Sequence, residues 1–135
     1  MDLNKALNIS AAGMDAQTMR LRVIAENLAN QDTTGSKPGA DAYRRKTITF
    51  ENRVDASTGD TSVQVKRIGQ DNAQQTLRYD PSNPAANPDG YVKIPNVNSF
   101  IEVMDMREAE RSYSANMAVL QATRTMLDRT IDLLK

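Results

Sequence analysis

Four carboxylates crowd one short stretch, Glu102, Asp105, Glu108 and Glu110, and helical spacing would bring some of them onto one face. Paired carboxylates of that kind could do general acid and base work on a glycosidic or similar bond. Arg107 and Arg111 are interleaved with them, however, and mixed signs along a helix describe a solvated face laced with ion pairs. Asn87-x-Asp89-Gly90 has part of the spacing of a calcium loop. Its matching first position is Ala85 and its twelfth is Asn96, where a bidentate glutamate would be needed. Two basic runs, Arg44-Arg45-Lys46 and Lys66-Arg67, could touch phosphates. With a formal net charge of zero and 4% aromatic residues there is neither a steering field nor a stacking platform, so they read as solvent-exposed strand charge that blunts edge pairing.

The residue types that are missing narrow the chemistry further. Without Cys there is no thiolate nucleophile or disulfide, and without His the usual zinc ligand and general base are gone. No G-x-x-x-x-G-K-[ST], G-x-G-x-x-G or G-x-S-x-G segment occurs. The chain therefore reads as a non-enzyme, with no catalytic, cofactor-binding or metal-binding residues, no small-molecule substrate and no nucleic-acid partner. No unbroken apolar run has the length of a signal peptide or membrane span, so no transmembrane segment is expected, and export would have to proceed without a cleaved signal.

What must do the work is the pattern of helices. Leu7, Ala11, Met14, Thr18, Leu21, Ala25 and Leu28 alternate in steps of four and three, the seam of a heptad, with Ile24 and Leu3 widening the stripe. This predicts a helix from about Asn4 to about Asn30. A second helix is predicted from about Val97 to about Leu133, with Val103, Met106, Tyr113, Met117, Leu120, Leu127, Ile131 and Leu134 on one stripe, interrupted by Glu110 and Arg124. Between them, Arg45 to Phe50 and Ser62 to Lys66 have strand character around a turn at Asp55 to Asp60, the pattern of a hairpin. Asp80 to Gly90 holds three of the five prolines and predicts a stiff extended connector. The expected fold is α+β, with long N- and C-terminal helices pairing as a coiled coil around a small hairpin-containing middle. Its segments would be 1–32, 33–78, 79–96 and 97–135. Ile9, Met19, Val23 and Val119 lie off the seams, a surplus that one helical hairpin cannot bury and that calls for further helix neighbours.

One segment poses a local problem. ENLANQDTTG, Glu26 to Gly35, sets two poor helix formers, Asn27 and Asn30, around the last seam leucine, Leu28. Asn30 suits a helix stop, whereas Asn27 lies within the last turn and suits a hydrogen bond across a helix interface.

Ala6 through Gly35, with Asn27, Leu28, Ala29 and Asn30 at its core, resembles the N-terminal signature of the flagellar axial family of rod, hook and hook-associated proteins. Tyr79 through Asn98, with Tyr79, Asp80, Pro81, Asn83, Pro84, Gly90 and Tyr91, resembles the connector of the proximal-rod branch of that family. Arg111 to Asn116 follows on the next helix, as in that branch. The resemblance implies a structural subunit of the basal-body rod, a hollow drive shaft in the periplasm that carries motor torque to the hook. It implies export by the flagellar type III apparatus without signal cleavage. Its implied neighbours are further copies, proximal-rod subunits B and F, and the adaptor joining rod to membrane ring. Leu7, Met14, Leu21, Ile24 and Leu28 would then pack with Tyr113, Met117, Leu120, Leu127, Ile131 and Leu134. A free-standing coiled-coil adaptor is the alternative.

Overall fold

Leu3 to Ala29 contains no proline, and its single glycine, Gly13, does not interrupt the periodicity; the structure, a computed structural model describing residues 3–134, forms one helix there. This α1 (Leu3–Ala29) is followed by β1 (Lys46–Val54), β2 (Thr61–Gln70), β3 (Thr76–Tyr79), β4 (Tyr91–Ile94) and α2 (Ser99–Asp132). The fold is α+β. Both helices end within two residues of expectation, the ordinary fraying margin. Asn98 starts α2 by capping: its Oδ1 accepts the N–H of Phe100 at 3.1 Å and of Ile101 at 3.4 Å, two donors that the first turn leaves free.

The chain divides into two compact units. One is built from Met1–Leu21, Ile48–Arg67 and Met106–Lys135, the other from Arg22–Thr47 and Ile68–Asp105. In the first, β1 pairs with β2 around a turn in which the Asp55 N–H donates to Asp60 O and the Gly59 N–H to Asp55 O, both at 2.8 Å. Polar partners face each other across the strands, Lys66 paired with Glu51 at 3.5 Å and Arg53 donating to Gln64 Oε1 at 3.3 Å. The helices meet here where Arg20 reaches Glu108 at 3.5 Å and where the Asn116 side chain lies over Gly13. Rising numbers on α1 meet falling numbers on α2, so these segments run antiparallel. A Cβ at Gly13 would sit 2.8 Å from Asn116 Nδ2, so any larger residue there would require the Asn116 side chain to move.

The buried face of α1 differs from the heptad seam. Ser10, Ala16, Val23, Ile24 and Asn27 are buried, together with Gly13, while Leu7, Met14, Leu21 and Leu28 are only half-buried and Thr18 and Ala25 are exposed. At 3.6 residues per turn the two faces are centred roughly a third of a turn apart. The reason is size: serine, glycine and alanine let a second helix approach, and hydrophobic periodicity does not register them. On α2 the buried residues are Glu102, Ala109 and Thr123, with Met106, Tyr113, Asn116, Leu120 and Leu127 half-buried between them. Thr123 is accommodated because its hydroxyl donates to Val119 O at 2.8 Å. Glu110 and Arg124 lie exposed, so neither fixes a register by burial.

The second unit corrects the extended connector. β3 and β4 are antiparallel, Thr76 opposite Ile94 and Tyr79 opposite Tyr91, so both ends of the proline-rich segment lie side by side. The Asp80 N–H donates to Gly90 O at 2.9 Å, the Ala86 N–H to Asn83 O at 2.9 Å and the Asn87 N–H to Tyr91 O at 2.9 Å. Proline excluded helix and inner strand as expected. The asparagines then folded the segment back as successive turns, Asn83 Oδ1 accepting from the Ala85 N–H and Asn87 Oδ1 from the N–H groups of Asp89 and Tyr91. Gly90 closes the loop at φ +82, under the Tyr79 ring.

Gly90→Ala combines a left-handed backbone with a Cβ 2.8 Å from Tyr79 Cε2. It should destabilise the chain by about 1–3 kcal/mol in thermal or urea melts of the purified protein, with the loop opening first by hydrogen exchange.

Candidate functional site

Asn27 is 1% exposed on the last full turn of α1 and uses every hydrogen-bonding position of its amide. Its Oδ1 accepts the Lys46 N–H at 2.8 Å and the Tyr43 hydroxyl at 2.9 Å. Its Nδ2 donates to Lys46 O at 2.9 Å and to Glu102 Oε2 at 3.2 Å. The side chain thus pairs with Lys46 as a neighbouring strand would, holding the start of β1 to α1, and also reaches α2 within the same unit. Asn30 does the terminating: its Nδ2 donates to Glu26 O at 2.8 Å, and its Oδ1 accepts the Thr33 hydroxyl at 3.1 Å. Leu28 is half-buried and Ala29 exposed.

Glu102 has 0% of its surface exposed. Its carboxylate is held by Arg45 Nε on one oxygen and Asn27 on the other, and the Arg45 guanidinium extends to Asp105 at 3.8 Å. The Arg45 backbone is fixed as well, its N–H donating to Asn96 Oδ1 at 2.9 Å and its carbonyl accepting the Asp71 N–H at 2.8 Å. This corrects two expectations. Glu102 does not belong to a solvated charged face, and Arg45 is not free strand charge: each is the other's partner. Lys46 is likewise engaged, with Glu26 at 2.6 Å. That bond holds the Glu26 carboxyl below its ordinary value, helped by Arg22 at 3.4 Å, and the same bond to Glu26 raises the Lys46 ammonium. Burial pushes the Tyr43 phenol up, which keeps it the protonated donor that Asn27 needs.

A hollow of about 270 Å³ borders these side chains, but the Glu102 carboxylate on its wall already carries two donors. Such an arrangement can hold three chain segments in register. Among the described residues no group of three or more Asp or Glu is placed to hold a metal ion. No helix among them is long and apolar enough to cross a membrane.

The other expected packing residues divide by depth. Ile24 is buried; Leu7, Met14, Leu21, Leu28, Tyr113, Met117, Leu120 and Leu127 are half-buried; Ile131 and Leu134 are exposed. Of the connector residues, Tyr79 and Tyr91 stack edge to face with centroids 5.4 Å apart, and Asp80 and Asn83 form turns. Pro81 and Pro84 are exposed, and Gly90 is buried.

Two family models match this chain. One, of flagella basal body rod proteins, covers residues 7–37; the other, the C-terminal part of flagellar basal body rod FlgEFG proteins, covers residues 89–133. A flagellar basal-body rod protein FlgC of Agrobacterium fabrum is 50% identical over 133 residues, spanning 98% of this chain and 96% of that protein. The FlgC of Salmonella typhimurium is 38% identical with 98% of each chain covered, and that of Bacillus subtilis 34% with 95% of each. The chain belongs to the FlgC-type flagellar basal-body rod proteins. It is a structural subunit of the basal-body rod, and the free-standing adaptor is not favoured. Within this rod protein, Asn27, Asn96 and Glu102 fall inside the matched segments, whereas Tyr43, Arg45 and Lys46 fall outside them.

Arg45→Met should cost about 3–5 kcal/mol in equilibrium unfolding, because it strands a buried carboxylate, and adding Glu102→Met should restore much of that loss. The pH dependence has a definite sign. A depressed Glu26 pKa contributes stability that is complete above the ordinary value near 4.5 and lost as pH falls through the lowered one. The raised Lys46 contributes below about 10.5 and ceases to do so as pH climbs through its raised value. Glu26→Gln should therefore lose less stability than the parent between about pH 5 and about pH 3, as read from melting curves.

Proposed function

We propose that this rod subunit polymerises through its terminal helices, which pair as a coiled coil within the chain and with neighbouring subunits, to build the proximal part of the hollow periplasmic shaft that carries torque to the hook. Its neighbours are further copies, proximal-rod subunits B and F, and the adaptor at the membrane ring. The chain reaches them through the flagellar type III export apparatus without signal cleavage.

The observation that carries this reading is a second apolar stripe on α2, away from the buried one. In the second unit it consists of Phe100, Ile101 and Met104, 73%, 50% and 57% exposed. In the first unit, Val119, Met126 and Leu133 lie seven residues apart, alongside the exposed Ala115, Ala118 and Ala122. Apolar residues recurring every seven positions on an outer face are a seam without a partner inside the chain. The half-buried Leu7, Met14, Leu21 and Leu28 on α1 supply the matching kind of surface, and together with Ile24, Tyr113, Met117, Leu120, Leu127, Ile131 and Leu134 they form the helix-packing set. Hydrophobic burial completed only in the assembly gives each subunit a driving force to join a growing end.

Val119→Asp with Met126→Asp tests this. Both residues are exposed in the single chain, so its stability should change by no more than about 0.5 kcal/mol each. Incorporation into purified basal bodies and swimming should be lost. Normal motility of that variant would refute the assignment.

A further inference from the structure

The outer face of the β3–β4 ribbon shares no residue with either helix stripe. The register places Leu77 opposite Lys93 and Tyr79 opposite Tyr91 on this face, while Val92, on the other, is fully buried. Leu77, Tyr79 and Tyr91 are 56%, 66% and 43% exposed, an aromatic and aliphatic surface of the composition that anchors protein contacts. It is pre-ordered: the two rings pack edge to face, and Tyr79 sits against the closed turn at Gly90. Beside it, sharing Leu77 and Lys93, runs a groove of about 260 Å³ walled by Asp41, Arg44 and Gln75. Gln75 fixes one wall, its Oε1 accepting the Ala42 N–H at 3.1 Å and its Nε2 donating to Ala42 O at 2.9 Å. Lys93 at 2.6 Å and Arg44 at 3.1 Å converge on the single Asp41 carboxylate, leaving one positive charge uncompensated at the mouth of the groove. Lys93 first and Arg44 second hold the Asp41 carboxyl below its usual range.

We propose that the ribbon face and groove are a docking site for an acidic amphipathic segment of a neighbouring rod subunit. Its apolar side chains lie on Leu77, Tyr79 and Tyr91, and its carboxylate is taken by Arg44 and Lys93. The apolar area orients an extended or helical segment, and the paired cations select against a basic or neutral one. The site rests on membership of the rod proteins and uses no residue of the helix stripes, so it stands or falls separately from them.

The test places a photo-activatable benzophenone side chain at position 79 of the full-length chain in flagellated cells. Basal bodies are irradiated and purified, and the adduct is mapped by mass spectrometry. The expected adduct is on another rod subunit, at an apolar residue with Asp or Glu within one helical turn or two strand positions. Arg44→Glu with Lys93→Glu should cut its yield about tenfold, and Arg44→Lys with Lys93→Arg should retain most of it. Circular dichroism of the purified reversal variant should match the parent. If reversal instead unfolds the chain, the adduct position in the unreversed chain decides alone. An adduct on a basic or uncharged segment or on lipid would overturn the proposal, as would no adduct from rods containing the chain, or a yield indifferent to reversal in a folded variant. Failure of the helix stripes shows instead in the Val119 and Met126 variant, which leaves this face intact.

Discussion

Placing the Glu102 carboxylate out of water is the constraint around which the second unit is built. A buried carboxylate without partners would take up a proton or unfold its surroundings, so the chain must bring it a cation and further donors. Arg45 and Asn27 answer that need from segments 57 and 75 residues away in the chain. Once they are in place, their other atoms are committed as well: Asn27 to the backbone of Lys46 and to Tyr43, Arg45 through its own backbone to Asn96 and Asp71. The helix end, the entry to β1 and the start of α2 are thereby tied to one point. With Ala16, Val23, Ile24, Ala42, Ala85, Val92, Pro95 and Ala109 as the buried apolar side chains among the residues described, a geometrically demanding polar node specifies the packing where apolar bulk does not.

How much of this was legible beforehand follows from the range of each interaction. The two helices were legible because their periodicity is local and long, and the hairpin because its turn chemistry lies within a few residues. The role of Asn27 was half legible: an asparagine in a last helical turn has no good local reason to be there, which pointed to a cross-helix bond without naming Glu102. The Arg45–Glu102 pair was not legible, since each residue taken alone sits among charges that look solvated. β3 and β4 escaped notice because four-residue strands carry too little pattern, although Tyr79 and Tyr91 flank the proline-rich loop in a way that pairing explains. The displaced buried face of α1 escaped for another reason: close helix contact selects small side chains, and a count of hydrophobic positions weighs Gly13 and Ser10 as nothing.

That displacement bears on assembly. Had the large side chains of α1 packed fully against α2, the chain would be more stable alone and would offer little to a neighbour. Small residues at the internal contact, with Asn116 over Gly13, leave Leu7, Met14, Leu21 and Leu28 part-way out, and leave α2 with an outer row of apolar residues. Under the proposed assembly the polar node and the small-residue contact set the internal geometry at modest stability, and the larger hydrophobic gain is deferred to contacts between subunits. Under the proposed export route, a chain of that kind crosses a narrow channel more easily than one with a deep core or disulfides. It also has no cysteine with which to trap a wrong pairing in an oxidising compartment. The same division explains why two asparagines close α1. A leucine at position 27 would add apolar area but leave the Lys46 and Tyr43 donors and the Glu102 oxygen short of a partner, and burying unpaired polar groups costs more than one side chain's hydrophobic gain returns.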